Sequence, residues 1–78
     1  MPLNWEGPDE DGIWYACDDV AIYIILPDEN GMLTVGYHPS PGPMATWKEN
    51  LKTVDEAKAA TDECVLEILR IRKEHGYD

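Results

Sequence analysis

The apolar positions change period part-way along the chain, from two to between three and four. Residues 13–17 (IWYAC) are β-formers and predict a first strand. The clearest run is 20–26, VAIYIIL. Alternation divides it into Val20, Ile22, Ile24 and Leu26 on one face and Ala21, Tyr23 and Ile25 on the other. Both faces are apolar, which predicts a central strand with at least partial cover on each side. Residues 32–38 alternate differently. Leu33, Val35 and Tyr37 share one face, while Met32, Thr34, Gly36 and His38 form a mixed face suited to partial exposure. Beyond residue 53 the spacing becomes helical: Ala57, Ala60, Thr61, Cys64, Val65, Ile68 and Ile71 fall on one stripe.

Punctuation fixes the joints between these runs. Pro2, Gly7 and Pro8 mark residues 1–11 as a leading loop, closed by the acids Asp9, Glu10 and Asp11. Asp18-Asp19 predicts a tight turn. Pro27-Asp28-Glu29-Asn30-Gly31 is the strongest hairpin signal, because Asn and Gly tolerate positive φ. Pro39, Pro41 and Pro43 cannot continue a ladder, so 38–43 is a rigid connection, followed by a short edge strand at 44–48. Thr53 and Glu56 have the spacing of a capping box. Arg70, Arg72, Lys73 and His75 gather where the helix dipole favours cations, and Gly76 suits the position after the helix. The helix is therefore predicted over 54–75.

These elements make one domain over 1–78, of the α+β class: a three-stranded antiparallel sheet, four-stranded with 44–48, over 12–48, then one C-terminal amphipathic helix over 53–76 packed on one face (βββα). No internal repeat or low-complexity segment is evident. At 78 residues the chain has room for one modest core.

Charge is distributed unevenly. Residues 1–47 carry eight carboxylates and no Lys or Arg, whereas 48–78 carry eight carboxylates against six bases, so the N-terminal half holds −8 of the net −10. No apolar run approaches the roughly 20 residues of a membrane-spanning helix, and no basic segment precedes an apolar one at the start. A cytoplasmic protein is the expectation. Cys17 and Cys64 each lie inside an apolar pattern. Two free, small hydrophobes are favoured over a Cys17–Cys64 disulfide, which only spatial proximity decides.

Most catalytic and metal chemistries find no support. Asp9-Glu10-Asp11-Gly12 opens like a calcium loop, yet Ile13, Trp14 and Tyr15 fill the positions that should supply later ligands. Cys17, Cys64, His38 and His75 lack the paired spacing of a zinc site. Ser40 lies two residues from His38 without an orienting third group, and no Gly-rich phosphate loop or cofactor motif occurs. A non-enzyme with no cofactor and no metal is expected. Direct nucleic-acid binding is disfavoured, since the six bases are diluted by eight acids.

A protein partner with a basic surface fits better. Clustered carboxylates steer such a partner, and suitably spaced they imitate a phosphate backbone. The candidate contact residues are Asp9, Glu10, Asp11, Asp18, Asp19, Asp28 and Glu29, with Trp5 and Trp14 as aromatic anchors. In a meander the first and third clusters should share one end of the sheet and Asp18-Asp19 the other. Two alternatives stand beside this reading: acidity that serves only solubility or salt adaptation, and a small structural domain, monomer or homodimer, joining a second copy through an unpaired strand edge near 32–38.

Residues 46–63, TWKENLKTVDEAKAATDE, resemble the end of many short phage and bacterial orphan proteins, in which an edge strand leads to Thr or Ser and an "EAK" helix. In size, charge and architecture the chain is similar to phage inhibitors of host defence, the anti-CRISPR and DNA-mimic anti-restriction proteins. The resemblance implies an inhibitor acting in host cytoplasm on a nucleic-acid-binding surface. It assigns no individual functional residue.

Overall fold

The computed structural model describes residues 3–39 and 42–76. Four strands, β1 (Trp14–Cys17), β2 (Ala21–Pro27), β3 (Leu33–Pro39) and β4 (Ala45–Leu51), form one antiparallel sheet in the order β1-β2-β3-β4. The helix α1 (Val54–Glu74) follows and packs on one face. The α+β expectation holds, with the edge strand fully formed.

Side-chain size explains how close the helix sits. Ala57 and Ala60 on α1 meet Ile25 and Val35, and Cys64 meets Ala21 and Tyr23. Small helix residues let the bulky strand residues fill the space between layers. Full burial of side chains such as Tyr23, Ile25 and Val35 contributes roughly 1.5–3 kcal/mol each. Trp5, Trp14, Leu33, Trp47 and Leu51 close around this centre. The Thr61 hydroxyl is buried in the same layer and donates to the Ala57 carbonyl at 2.8 Å, so its burial leaves no proton unpaired.

The helix starts where the capping box places it. Thr53 Oγ1 accepts the Glu56 N–H at 3.1 Å, and Glu56 Oε2 accepts the N–H groups of Lys52 and Thr53. Such a cap contributes about 1 kcal/mol. Gly76, at φ 76°, follows the last turn.

Three expectations are corrected. First, 32–38 presents no free edge, because β3 lies between β2 and β4. The edges are β1, which Glu6 extends through hydrogen bonds of 2.8 and 2.9 Å to Tyr15, and β4. Two register shifts and Asn50 at φ 61° distort β4, a form that resists edge-to-edge pairing. Second, α1 covers only the Ala21–Tyr23–Ile25 face of β2; among the described residues no second layer covers the other face, and Ile22 is exposed. Third, a short repeat does exist. Residues 8–13 read PDEDGI and 27–32 read PDENGM, and the two fold alike.

Candidate protein-binding face

The uncovered side of the sheet is built by alternation. Where Trp14 and Ala16 turn toward the helix, Tyr15 and Cys17 turn away from it. Register sets Tyr15 opposite Ile24 and Cys17 opposite Ile22, then Ile22 opposite His38 and Ile24 opposite Gly36. Tyr15 is 40% exposed and Ile22 45%. A hollow lined by Asn4, Glu6, Tyr15, Ala16, Cys17 and Ile22 opens on this side, and Ile22 also borders a second hollow beside Asp18, Asp19 and His38. Apolar surface rimmed by polar groups is how contact sites present themselves.

At one end of the sheet lie the two copies of the repeated loop. In the first, Asp9 Oδ1 accepts the N–H groups of Asp11 and Ile13, while the Asp9 N–H donates to the Ile13 carbonyl. In the second, Asp28 Oδ1 accepts from Asn30 and Met32, and the Asp28 N–H donates to the Met32 carbonyl. Each loop turns on a glycine, Gly12 at φ 79° and Gly31 at φ 80°, where an L side chain would be strained. A methyl group on Gly12 would lie 3.6 Å from the Pro27 ring, so the loops are neighbours. Glu10 and Glu29 occupy equivalent exposed positions. Three carboxylates of one loop thus stand beside two of the other.

The opposite end carries the β1–β2 turn. Asp18 Oδ1 accepts the Val20 and Ala21 N–H groups, and the Asp18 N–H donates to the Ala21 carbonyl at 3.0 Å. Asp18 Oδ2 takes the Tyr23 hydroxyl at 2.9 Å. The seven residues of β2 separate the two ends by about 20 Å.

The nine residues singled out by sequence thus fall into different jobs. Asp9, Asp18 and Asp28 each hold a turn closed. The carboxylates of Glu10, Asp11, Asp19 and Glu29 are exposed beside them and take no part in the hydrogen bonds above. The acids form two surfaces, one at each end of the sheet, as the meander requires. Trp5 and Trp14 are half-buried against the core, and Lys58 Nζ lies 4.5 Å from the Trp14 ring centroid. They seal the layer between sheet and helix. Sequence reasoning passed over Tyr15 and Ile22. Their signal was present: one helix cannot cover two apolar faces of the same strand.

Local electrostatics follow from these contacts. Backbone N–H donation, from Ile13 foremost, holds the Asp9 carboxyl below its ordinary range. Partial burial and then the Asp9 charge push the Tyr15 hydroxyl up; it donates to Asp9 Oδ2 at 3.4 Å. Both cysteines are free thiols, Cys17 exposed and Cys64 buried. Among the described residues no group of three or more His, Cys, Asp or Glu is arranged to hold a metal ion, and Ser40 lies outside those residues. No described helix is long and apolar enough to cross a membrane. No family model, curated protein or solved structure matches the chain.

Proposed function

We propose that this chain is a non-enzymatic binding protein of the cytoplasm that covers a basic, nucleic-acid-binding surface on a larger protein, as a phage-type inhibitor of host defence would. The observation that carries the reading is the uncovered Tyr15–Ile22 side of the sheet with carboxylates at both ends. The apolar strip supplies desolvated contact, and the flanking acids steer a basic partner and reject an acidic one. Glu10, Asp11 and Glu29 would face bases at one margin of that surface, and Asp19 would face bases at the other. Their separation of about 20 Å suits a partner whose bases flank an apolar patch.

The test uses the immobilised full chain to capture proteins from lysate, with elution by rising salt or by heparin as a polyanion competitor. The reading expects one captured protein that heparin displaces. It also expects at least tenfold weaker capture by Ile22→Glu and by Glu10→Lys/Glu29→Lys, with folding unchanged. Capture that ignores both substitutions, or that heparin and salt leave intact, refutes it.

A further inference from the structure

The outer face of α1 carries a pattern that the sheet does not use. Directly opposite the buried Ala57, Ala60, Thr61 and Cys64, helical spacing aligns Asp55, Ala59, Asp62, Leu66, Leu69 and Lys73. Leu66 is 68% exposed and Leu69 49%. Two leucines thus stand in water, with acids toward the helix N-terminus and a lysine one turn past them. The order is acid, leucine, leucine, base.

That order is self-complementary. We propose that α1 is a homodimer interface in which two copies pair their outer faces antiparallel, about a two-fold axis between Leu66 and Leu69. The axis sets Leu66 opposite Leu69 of the second copy and Asp62 opposite Lys73 of the second copy, each contact made twice. A parallel pairing would set Asp62 against Asp62 and Lys73 against Lys73. Antiparallel packing also brings the positive end of each helix dipole beside the negative end of the other. An unrelated partner would need to reproduce this arrangement; a second copy carries it already.

The interface is one helix face wide, so the dimer is weak and concentration-dependent. With the helices back to back, the two uncovered sheet faces point outward, and a dimer offers two binding faces. This inference is independent of the proposed partner: its failure leaves single-copy capture at the sheet face untouched.

Sedimentation equilibrium at about 0.15 M salt tests it, where a screening length of about 8 Å mutes the net charge of each copy but spares touching pairs. The mass should climb from 8.8 kDa toward twice that value as concentration rises to about 1 mM. Leu66→Ser/Leu69→Ser should abolish the rise. Asp62→Lys and Lys73→Asp should each weaken association several-fold, and the double swap, which keeps the net charge, should restore it. All four positions are exposed, so circular dichroism and the unfolding midpoint should stay near those of the parent chain. A mass fixed at 8.8 kDa throughout, or a dimer indifferent to these variants, overturns the proposal.

Discussion

The Tyr23 hydroxyl, on a ring with no solvent exposure, donates to Asp18 Oδ2 at 2.9 Å, while the other oxygen of Asp18 closes the β1–β2 turn. One carboxylate therefore ties the core to the hairpin that carries one of the two acidic surfaces. Asp18 and Asp19 are chemically alike and adjacent, yet only Asp18 has this duty. Tyr23→Phe removes one hydrogen bond to a charged acceptor and should cost about 1.5 kcal/mol. Asp18→Ala strands three donors, two of them on buried residues, and should cost about 2–3 kcal/mol. Because the two share a bond, the double variant should lose less than the two separate losses combined. Urea unfolding of the four proteins measures this. Simple additivity would mean that the bond contributes nothing.

The twin loops at the other end make a second, paired prediction. Gly12 and Gly31 hold the same conformation, and neither has a neighbour that a methyl group would strike. Gly12→Ala and Gly31→Ala should therefore cost similar amounts, about 1–2 kcal/mol each, set by the left-handed backbone alone. Gly31→Asn should recover most of that loss, since Asn tolerates the conformation. Thermal or urea unfolding reads all three, and a large inequality between the two alanine variants would show that the loops are not equivalent.

Local physics made much of this fold legible. The 30–31 turn, the capping box at Thr53 and the period of α1 are each set by neighbouring residues, and α1 begins at Val54 as predicted. What short-range signals could not convey was which side of β2 the helix takes, because Ile22 and Ile25 are equally apolar. Only the match of Ala57, Ala60 and Cys64 to Tyr23 and Ile25 decides it. The same limit hid the candidate face. Carboxylates drew attention as charges, although Asp9, Asp18 and Asp28 spend theirs on backbone N–H groups. The residues left uncovered, Tyr15 and Ile22, read along the chain as core.

The two thiols should report that division of faces directly. Cys17 sits on the uncovered side, and Cys64 lies on the buried face of α1 against the sheet. A thiol-specific reagent at neutral pH should label Cys17 rapidly and Cys64 only through opening of the fold, with both labelled in urea. Equal protection of the two in the native protein would contradict the placement of the sheet's open side. Failure to label either in urea would reveal a disulfide.

Stability should fall at both ends of the pH scale for separate reasons. Asp9, held by backbone N–H groups, and Glu67, held by Arg70, both have lowered values. Their stabilisation is present above the unfolded values of 3.8 and 4.5 and is lost as pH falls through the lower folded ones. Asp9→Asn keeps an oxygen for the two N–H groups but cannot titrate, so it should flatten this acid limb. On the alkaline side the sign reverses. Burial, reinforced by the Asp18 charge, pushes the Cys64 thiol from 9.0 to about 11, so the folded state keeps a proton that the unfolded chain releases. Stability from this group is full below pH 9 and is lost progressively toward pH 11. Tyr23, raised by burial and by its bond to Asp18, extends the loss above pH 10. Cys64→Ala should lower stability at neutral pH by about 1 kcal/mol for the lost packing yet decline less steeply between pH 9 and 11. Unfolding free energies measured across that interval decide it: parallel curves for the two proteins would show that Cys64 is not the group that titrates.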